Sequence, residues 1–537
     1  MAQDTRERAP RADGSRDGGP GRGGRRRDGN RDRKGPGRPG GRRALRWSAS
    51  VLALLILGTA GAGYLYYEHL NGNIQAGARS GSDDSRAQRA RPNADGQTPL
   101  NILLIGSDSR ASAENVKLGG SKDSRGNPPL GDVQMLIHVS ADRRSAAMVS
   151  IPRDTRVDIP QCKDAKTGKV YPATNDIINT TLARGGAGCT LATWENLTGV
   201  YIDHWMTIDF AGVVRMADAI GGVEVCVNQN VWDRSTAAQR GGSGLKLKAG
   251  RTKVQHEQAL QWLRTRHAWG SDVMRARAQH MYLNSMIRTL KGQNVFTDSG
   301  RLMDLAEAAT KSLTVSDEIS SVKKLYDLGM ELKAVPTNRI TSVTMPNIED
   351  PQNDSHVLPA QGGADKLWQM LREDVPLDKN GKPAQKTVAD AEPVKAGSAA
   401  PDRLGVQVQN GTRSSTLAPV SGRARAVASA LAAKGYSQAQ ADTSAAPSAD
   451  ETVVRYPSAD MEGDAQAVAK ALGIPAKQVE RSTDVSGVTV VVGTDWRTGD
   501  TYPKKAAPKA GDLPSGTDAI NGSDQKSCMD VYKPYQW

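Results

Sequence analysis

The sequence predicts an α/β protein in which helices sandwich a mixed β-sheet, with a single transmembrane helix near the N-terminus and a second, smaller α/β domain. Three observations predict this fold class. Short apolar runs typical of strands, such as residues 223–227, alternate with helical patterns across residues 99–375. One long uncharged apolar run follows a strongly basic N-terminal tail. A second alternation occupies residues 403–500, where Ala-rich helical patterns separate strands predicted at 404–408, 453–456 and 488–492.

The basic charge of the chain is concentrated in its N-terminal tail. The 537 residues carry a formal net charge of +13, and residues 1–46 hold fifteen Arg or Lys against six Asp or Glu. This tail is rich in Gly and Arg and has few apolar residues, so it cannot bury enough surface to offset the entropy of ordering and is predicted to be disordered. Because membrane topology is a sufficient reason for the charge, we expect no nucleic-acid partner.

A single transmembrane helix is predicted from Trp47 to Tyr67, which is uncharged, long enough to cross a bilayer and flanked by Trp and Tyr. The long cationic tail before it favours an uncleaved anchor over a cleaved signal peptide. The positive-inside tendency then keeps the tail in the cytoplasm and places everything from Glu68 onward outside the cell. The predicted parts are a tail (1–46), a transmembrane helix (47–67), a polar linker (68–98), a main domain (99–375, core 99–292), a second linker (376–402), a small domain (403–500) and a C-terminal tail (501–537).

All four cysteines lie beyond the predicted membrane helix, in a compartment that permits disulfides. Cys162, Cys189, Cys226 and Cys528 allow three connectivities, which the sequence leaves open, and we favour the pair Cys162 with Cys189. No Cys/His spacing typical of a zinc site occurs. The final stretch, 501–537, is rich in Lys, Pro, Gly and Asp and is predicted to be loose, unless Cys528 and the aromatic end dock it.

Polar residues follow predicted strands of the main domain. Strands are predicted at residues 101–105, 135–139 and 146–151. The first delivers a loop with Asp108 and Arg110, and the third ends just before Arg153. Loops at strand ends on a rigid sheet commonly carry binding groups. These residues are therefore candidates for a functional site.

The most informative stretch runs from residue 255 to 290 and contains a cluster of arginines: Arg264, Arg266, Arg275 and Arg277. Asp272, Arg275 and Gln279 are spaced i, i+3 and i+7, which places them on one face of a predicted helix. Ser271 or Asp272 serves as the N-cap, where free backbone NH groups favour an anion. Guanidinium groups that converge on such a terminus are typical of a phosphate or pyrophosphate site. The alternative is a solvated amphipathic helix with scattered arginines.

Two acids complete the candidate site. Asp108 and Asp132 lie next to predicted strands, and two carboxylates with several arginines suit a divalent cation that bridges phosphate oxygens. Such a site performs phosphoryl transfer largely by positioning and charge neutralisation. The structural alternative is that Asp108 caps a turn and that Arg153 pairs with Asp154 or Asp158.

Four segments together resemble the LytR-CpsA-Psr family of cell-envelope enzymes. They are, in order across residues 99–292, NILLIGSDSR, DVQMLIHVSADRRSAAMVSIPRDTRVDIP, NLTGVYIDHWMTIDFAGVVRMADAIGGVEVCV and HEQALQWLRTRHAWGSDVMRARAQ. Residues 404–500, from LGVQVQNGT to VVVGTDW, resemble the C-terminal accessory domain that often follows in this family. The family has the same topology: a cytoplasmic N-terminal end, one membrane helix and the catalytic domain outside.

The resemblance implies a phosphotransferase that moves a glycopolymer, teichoic-acid-like or another cell-wall polysaccharide, from a polyprenyl-pyrophosphate carrier to peptidoglycan through a phosphodiester. It implies Mg²⁺ as the cofactor, with Asp108 and Asp132 as metal ligands. The implied pyrophosphate-binding set is Arg110, Arg153, Arg264, Arg266, Arg275 and Gln279. Asp272 and Arg266 are the implied catalytic residues, and Asp272 either orients the arginines or assists proton removal from the acceptor hydroxyl. The alternative function is a non-catalytic polyprenyl-phosphate-binding envelope protein or a membrane-bound regulator of cell-wall metabolism.

Three departures from the family pattern stand beside the resemblance. Leu130-Gly131-Asp132-Val133 replaces the usual Arg-Ser-Asp-Thr around the second acid. Ile177 stands where the Lys-Ile-Asn motif usually begins with a phosphate-binding lysine. Ala278 precedes Gln279 where the family usually has arginine, and Arg277 has no family counterpart. The missing lysine, the basic cytoplasmic tail and the accessory domain support the non-catalytic alternative.

Overall fold

The computed structural model describes residues 40–82, 87–90, 92–93, 95–110, 112–119, 127–165, 167–237, 239–293, 298–381, 399–414, 417–444, 448–449, 451–503 and 508–537. The predicted disordered tail lies outside these residues up to residue 39, and so does most of the predicted linker at 376–402. The chain divides into two compact units, Met1–Tyr66 and Tyr67–Trp537.

The helices are α1 (Gly40–Asn73), α2 (Ala113–Gly119), α3 (Thr181–Thr198), α4 (Phe210–Ala219), α5 (His256–Arg264), α6 (Asp272–Gly292), α7 (Ser299–Ser312), α8 (Val322–Ala334), α9 (Gly363–Arg372), α10 (Arg423–Ala432) and α11 (Glu462–Leu472). The strands up to the middle of the main domain are β1 (Gln75–Gly77), β2 (Leu100–Ser107), β3 (Gly131–Val139), β4 (Ala146–Ile151), β5 (Arg156–Ile159), β6 (Cys162–Lys163), β7 (Val170–Tyr171), β8 (Thr174–Ile177), β9 (His204–Ile208), β10 (Val223–Val227), β11 (Val231–Trp232), β12 (Lys246–Leu247) and β13 (Gly250–Val254). The remaining strands are β14 (Leu313–Ser316), β15 (Ile340–Thr344), β16 (Asn347–Asp350), β17 (Asn353–Pro359), β18 (Val406–Asn410), β19 (Ala439–Ala441), β20 (Val453–Tyr456), β21 (Val479–Arg481), β22 (Val488–Val492) and β23 (Ala519–Asn521).

The helix α1 contains the predicted membrane span. From Arg46 to Asn73 it is long and apolar enough to cross a membrane, and within the described ranges it is the one helix that meets this description. Its large apolar side chains, such as Leu54 and Leu57, are exposed to the surroundings. A bilayer would remove this apolar surface from water. The structure therefore agrees with a single candidate span near the N-terminus.

The main domain is built on an eight-stranded mixed sheet, in the order β1-β14-β9-β2-β3-β4-β15-β23. Its centre is antiparallel, because β3 pairs with β2 on one side and with β4 on the other. Parallel pairs flank this centre, with β9 beside β2 and β15 beside β4. The predicted hairpin of 135–139 and 146–151 is the β3–β4 pair. The mixed sheet predicted from the sequence is confirmed.

Helices cover both faces of this sheet because its central strands alternate apolar side chains between two cores. Leu103 and Ile105 of β2 face a core that includes Trp194 of α3 and Trp368 of α9. Ile102 and Leu104, which alternate with them in sequence, pack in the opposite core, which is completed by residues of α6 and α8. Such period-2 alternation is what a strand requires when both faces are covered. The α/β sandwich predicted from the sequence is therefore present.

Both edges of the sheet come from segments that the sequence assigned to unstructured parts. In the predicted linker at 68–98, α1 continues to Asn73, and β1 pairs in parallel with β14. In the predicted loose tail at 501–537, β23 pairs with β15 in the antiparallel sense. These two predictions are corrected, because an edge strand is held by main-chain hydrogen bonds and needs no apolar pattern of its own. The docking of Cys528 and the aromatic end, given as the alternative, is what the structure has.

The four cysteines form two disulfides. Cys162 pairs with Cys189, as favoured from the sequence, across 27 residues. Cys226 pairs with Cys528 across 302 residues, which ties the end of the chain to β10 in the middle of the main domain. Both bonds lie in the unit Tyr67–Trp537. Closing a long loop restricts the unfolded chain more than closing a short one, so the second bond constrains the unfolded state more strongly.

The small domain has its own five-stranded sheet, in the order β19-β18-β22-β20-β21. The strands predicted at 453–456 and 488–492 have the bounds of β20 and β22. Val427 of α10 and Val468 of α11 lie in one core with residues of this sheet. The predicted second α/β domain is confirmed, and its core is separate from the two cores of the main domain.

A buried polar network joins the β3–β4 hairpin to the segment that follows α9. His138 Nε2 lies 3.0 Å from Asp374 Oδ1, and the backbone NH of Ala141 donates to Asp374 Oδ2 at 3.0 Å. His138 Nδ1 lies 2.7 Å from Asn101 Oδ1 of β2. Asp374 has φ of 51°, a left-handed conformation that Asp and Asn tolerate better than most residues. Its carboxylate therefore satisfies two buried partners at a turn with an uncommon backbone shape.

We predict that Asp374→Asn lowers the free energy of unfolding by about 1–3 kcal/mol, because a buried NH group or the His138 ring loses its acceptor while the left-handed backbone remains acceptable. Urea unfolding of the wild type and the variant measures the difference. The matched control is Asp327→Asn, which breaks the exposed pair with Lys323 and should change stability by less than about 0.5 kcal/mol. Equal losses in the two variants would contradict the assignment of a buried network.

Candidate active site

Three strand ends meet at one end of the central sheet. Because β2 and β3 are antiparallel, the end of β2 lies beside the start of β3. Because β3 and β4 are antiparallel, the end of β4 lies beside the start of β3 as well. Asp108 follows β2, Asp132 is the second residue of β3 and Arg153 follows β4. The sheet register thus brings together three residues that are up to 45 positions apart in sequence.

Arg153 joins two carboxylates at this end of the sheet. Its Nη1 donates to Asp132 Oδ1 at 3.0 Å, and its Nε donates to Asp154 Oδ2 at 3.2 Å. The structural alternative named Asp154 as a partner, and that pairing is present together with the pairing to Asp132. Burial lowers the pKa of Arg153, but the charges of Asp132 and Asp154 outweigh burial and raise it. Arg153 is therefore held charged and fixed in direction.

Asp108 is tied to the backbone of the strand opposite. Its Oδ1 accepts a hydrogen bond from the backbone NH of Leu130 at 2.7 Å, and its own NH donates to the Leu130 carbonyl at 3.1 Å. Asp108 thus accepts a backbone hydrogen bond, as the turn-capping alternative predicted. Burial raises the pKa of Asp108, and the charge of the nearby Asp132 raises it further. The two carboxylates are close enough to repel each other.

The arginine-rich stretch forms the end of α5, a short turn and the start of α6. Arg264 is the last residue of α5, and residues 267–269 form one 3₁₀ turn. Ser271 is the N-cap of α6, because its hydroxyl accepts from the backbone NH of Met274 at 3.2 Å. Of the two N-cap candidates named from the sequence, Ser271 is the correct one. Asp272 is then the first residue of the helix.

The carboxylate of Asp272 lies between two arginines. Arg266 Nη2 is 2.8 Å from Asp272 Oδ2, and Arg275 Nη2 is 3.1 Å from Asp272 Oδ1. The side chain of Arg275 is 13% exposed, against 47% for Arg266. Burial lowers the pKa of Arg275, and the positive charge of Arg153 acts in the same direction. Asp272 therefore holds one buried and one accessible guanidinium in fixed positions.

Arg264 is held by contacts that the sequence did not reveal. Its guanidinium lies 4.9 Å from the ring centre of Phe210, at the start of α4. Its Nη1 and Nη2 donate to the carbonyls of Leu118 and Gly119, at 2.9 and 3.2 Å. Burial lowers the pKa of Arg264, and the neighbouring Arg110 lowers it further. The available sequence signal was weak: Phe210 is one of only two phenylalanines in the chain.

Arg110 and Gln279 differ in what their side chains offer to a ligand. The Nε of Arg110 is buried and makes no hydrogen bond within the described residues. A Cβ added at Gly119 would lie 2.9 Å from that Nε, so glycine leaves the room that Arg110 occupies. Gln279 is 6% exposed, and its amide donates to the Leu263 carbonyl of α5 at 3.2 Å. That bond joins α6 to α5, and pyrophosphate binding by Gln279 stays a prediction.

Arg277 and Ile177, two positions at which this sequence departs from the family pattern, take no part in the ion pairs described above. Arg277, which has no family counterpart, forms an ion pair with Asp518 of the C-terminal segment. Ile177, at the position of the missing lysine, lies in β8 opposite Arg156. Arg156 Nη2 donates to Asp350 Oδ1 at 2.9 Å. Arg156 is therefore engaged by a carboxylate of its own and does not replace the lysine.

The remaining charged residues form one electrostatic cluster. The charge of Asp272 acts to raise the pKa of Arg153, and that of Asp132 acts to raise the pKa of Arg275. Asp108 and Asp132 act on the pKa of Arg264 in the same way. The predicted set has five arginines and three carboxylates: Arg110, Arg153, Arg264, Arg266, Arg275, Asp108, Asp132 and Asp272. Asp154, which pairs with Arg153, is a fourth carboxylate and leaves an excess of one positive charge. Guanidinium groups at fixed positions with an excess of positive charge suit a phosphate or pyrophosphate.

The cluster offers two carboxylates to a divalent cation. In the part of the chain that the structure describes, no group of three or more His, Cys, Asp or Glu residues could hold a metal ion by itself. Magnesium commonly takes one or two protein carboxylates and completes its coordination with water and substrate phosphate oxygens. Burial is the main cause of the raised pKa of Asp108, and the charge of Asp132 adds to it; a cation would relieve this repulsion. The residues therefore fit a Mg²⁺ ion that arrives with a phosphate-bearing substrate.

Similarity to known families extends well beyond the charged residues. A family model described as the LytR_cpsA_psr family matches residues 66–373, which is more than half of the chain. The chain belongs to the LytR-CpsA-Psr family. A second model, described as LytR cell envelope-related transcriptional attenuator, matches residues 403–496 and covers the small domain. Both resemblances found in the sequence are confirmed.

Similar proteins carry names from cell-wall biosynthesis. Cell wall biosynthesis protein LcpA of Corynebacterium glutamicum is 28% identical over 333 residues, which cover 57% of this chain and 60% of that protein. Polyisoprenyl-teichoic acid--peptidoglycan teichoic acid transferase TagU of Enterococcus faecalis is 27% identical over 218 residues, which cover 40% of this chain and 61% of that protein. The chain thus spans about three fifths of the length of these two curated relatives.

Solved structures of the family are more distant. The crystal structure of B. subtilis TagV is 23% identical and covers 52% of this chain and 97% of that one, with a TM-score of 0.39. At this level the likeness supports nothing beyond the family model. Membership of the LytR-CpsA-Psr family therefore rests on the match to residues 66–373.

The raised pKa of Asp108 leads to a prediction about pH. The folded protein binds the Asp108 proton more tightly than the unfolded chain, so this group's contribution to stability falls as pH rises from its usual pKa of 3.8 through the raised value. Asn cannot titrate and keeps an oxygen for the Leu130 NH. Asp108→Asn should therefore gain stability relative to the wild type as pH rises from about 4 to about 7.

Thermal unfolding of both proteins across this pH range measures the effect. Asp327→Asn, on the exposed face of α8, is the matched control and should keep a constant difference from the wild type. If the stability of Asp108→Asn relative to the wild type stays constant or falls as pH rises, the pKa of Asp108 is not raised by burial and by Asp132.

Proposed function

We propose that the protein transfers a glycopolymer from a polyprenyl-pyrophosphate carrier to peptidoglycan and joins the two through a phosphodiester. The observation that carries this proposal is the cluster of five arginines around Asp108, Asp132 and Asp272, at one end of the main sheet. Family membership and the names of LcpA and TagU support it. The polymer is a teichoic-acid-like chain or another cell-wall polysaccharide.

The proposed reaction is a single displacement at phosphorus. The oxygen of an acceptor hydroxyl on peptidoglycan attacks the phosphorus that bears the polymer. The bond from that phosphorus to the bridging oxygen breaks, and polyprenyl phosphate leaves with the bond's electron pair. The hydroxyl proton passes to solvent or to Asp272. Because no protein group becomes covalently attached, the enzyme's contribution is positioning and neutralisation of charge.

Each charged residue has a role that follows from its contacts. Of the two arginines that pair with Asp272, Arg266 is the more accessible and is placed to contact a phosphate oxygen. Arg275 and Arg153 are less exposed and supply fixed positive charge nearby. Asp272 is engaged by two arginines, which favours its role in orienting them over its role as a base. Asp108 and Asp132 would hold the Mg²⁺ ion, which neutralises charge on the pyrophosphate when bound.

The proposed location is the outer face of the cell membrane. Among the residues that the structure describes there is one candidate membrane helix, from Arg46 to Asn73. The basic residues that precede it favour a cytoplasmic N-terminus, so both folded domains lie outside. Two disulfides in the main domain agree with an oxidising compartment. In this position the site can meet both a membrane-bound lipid carrier and peptidoglycan.

One observation favours a second function, binding of the lipid-linked precursor without transfer. Ile177 takes the place of a phosphate-binding lysine, and Arg156 opposite it is already paired with Asp350. A site with one cation fewer could bind the pyrophosphate and stabilise the transition state less. The assay below separates the two functions.

We predict that the full-length protein in detergent, given a polyprenyl-pyrophosphate oligosaccharide, Mg²⁺ and peptidoglycan, releases polyprenyl phosphate and labels the glycan. Arg266→Ala and Arg275→Ala should each reduce this release by about 100-fold or more, because each removes charge aimed at the reacting phosphates. Release is measured by chromatography of the lipid product.

The matched control for these variants is Arg455→Ala, which removes an ion-paired arginine of the small domain and should leave release unchanged. Binding of the lipid without release, across several acceptors, would replace transfer by the non-catalytic function. Equal activity of Arg275→Ala and Arg455→Ala would show that the cluster is not the active site.

We predict that EDTA abolishes release and that Mg²⁺ restores it. Asp132→Asn should raise the Mg²⁺ concentration for half-maximal activity by about tenfold or more, since loss of a metal-site group weakens metal affinity on that scale. Arg266→Ala should not be rescued at any Mg²⁺ concentration, because it lacks a phosphate contact and not a metal ligand. An unchanged Mg²⁺ requirement in Asp132→Asn would remove Asp132 from the metal site.

A further inference from the structure

The last segment of the chain returns to the main domain after the small domain. Residues 518–537, here named the C-terminal strap, lie beyond both family matches, which end at residues 373 and 496. The strap adds β23 to the edge of the central sheet, beside β15. Asp518 at its start pairs with Arg277 of α6, two residues after Arg275. Arg288, further along α6, donates to the Gly522 carbonyl at 2.8 Å.

The middle of the strap is fastened to β10. Cys528 forms the disulfide with Cys226. The NH of Met529 donates to the Cys226 carbonyl at 2.9 Å, and the NH of Asn228 donates to the Met529 carbonyl at 2.9 Å. Covalent and main-chain bonds thus act at the same place. The strap's position along β10 is fixed to within one residue.

The strap also fills the core beneath the active-site turn. Met529, Val531 and Tyr535 are almost fully buried, with 0%, 5% and 2% exposure. They lie in one apolar cluster with Trp262 of α5 and Trp269 of the 267–269 turn. Without the strap these aromatic side chains would lose part of their packing. The strap is therefore an integral part of the main domain.

One hydrogen bond connects the strap directly to the turn between the site residues. The NH of Tyr532 donates to the carbonyl of Ala268 at 2.9 Å. Ala268 is 0% exposed, so water does not replace this donor. The Tyr532 side chain lies beside Gly270, where an added Cβ would be 3.9 Å away. Arg266 and Asp272 flank this turn on its two sides.

We propose that the C-terminal strap is a positioning element of the active site and that the Tyr532 NH is its point of action. By binding the Ala268 carbonyl, Tyr532 fixes the turn whose two ends carry Arg266 and Asp272. The spacing of that ion pair, and hence the direction of the Arg266 guanidinium, depends on the turn. The effect on turnover rests on the proposed function, whereas the effect on the turn does not.

The test uses two substitutions at Tyr532 in the full-length protein. Tyr532 has φ of −62°, which proline adopts without change, so Tyr532→Pro removes the NH donor and keeps the backbone direction. Tyr532→Ala removes the same ring and keeps the NH, and the ring is 58% exposed. The two variants therefore differ in the hydrogen bond to Ala268 and match in the loss of the aromatic ring.

Hydrogen exchange of the backbone amides from residue 269 to 275 is the first measurement. Tyr532→Pro should speed exchange in this segment by about five- to tenfold, because a buried hydrogen bond that holds the turn closed is lost. Tyr532→Ala should match the wild type. Equal exchange in Tyr532→Pro and Tyr532→Ala would overturn the proposal. This result is independent of whether the protein is a transferase.

Steady-state release of polyprenyl phosphate is the second measurement. Tyr532→Pro should lower kcat by about tenfold or more with KM for the lipid within about twofold, since misplacing a charged group by a fraction of an ångström affects the transition state most. A loss confined to KM would overturn the positioning role. If Tyr532→Pro speeds exchange as expected but the wild type shows no transfer, the strap's contact is upheld and the transferase function is removed instead.

A second variant covers the case in which Tyr532→Pro does not fold. Replacing both Cys226 and Cys528 by Ser removes the covalent link between the strap and β10, so that main-chain bonds alone hold it there, and leaves the Cys162–Cys189 bond intact. Exchange at residues 269–275 should again rise, while exchange in β22 of the small domain stays at the wild-type rate. Unchanged exchange at the turn in the double variant would overturn the proposal.

Discussion

The candidate site depends on one carboxylate that holds two arginines at the start of a helix. Asp272 lies within ion-pair distance of both Arg266 and Arg275. Arg275 is mostly buried, and a buried guanidinium without a partner would be strongly unfavourable. The helix begins at this point because Ser271 caps it, which places the carboxylate at the positive end of the helix dipole. Removing Asp272 would therefore leave two like charges to repel each other with nothing to fix their directions.

The cluster remains electrostatically incomplete even with its carboxylates in place. Burial lowers the pKa of Arg264 and of Arg275, and in each case a neighbouring arginine lowers it further. Such a set of groups is stabilised by an anion that brings negative charge without bulk. A pyrophosphate meets that requirement, and a cation at Asp108 and Asp132 would link it to the opposite side of the cluster. Under the proposed function, the same charges that cost stability in the free protein would supply binding energy for the ligand.

The sequence revealed the parts of the fold that depend on local pattern and missed those that depend on tertiary contact. Apolar runs located β10, β20 and β22 to the residue, and helical spacing placed Asp272 beside Arg275. The pairing of Arg153 with Asp132 needed the register of β3 and β4, which no local pattern contains. Gln279 shares a helix face with Asp272 by spacing, yet α5 packs against that part of α6 and takes its amide. Periodicity assigns a face to a residue but not the neighbour that covers it.

The two edge strands show the same limit and explain the chain's connectivity. β1 and β23 come from polar segments in which composition predicted no structure, because edge strands gain their place through main-chain pairing with a sheet that already exists. Since β23 belongs to the main sheet, the small domain is an insertion between α9 and the C-terminal strap. Its two ends are anchored in one fold, and the Cys226–Cys528 bond closes that loop across 302 residues. Without the strap the turn between Arg266 and Asp272 would lack the donor that holds the Ala268 carbonyl, so the main domain depends on a segment that follows the small domain in sequence.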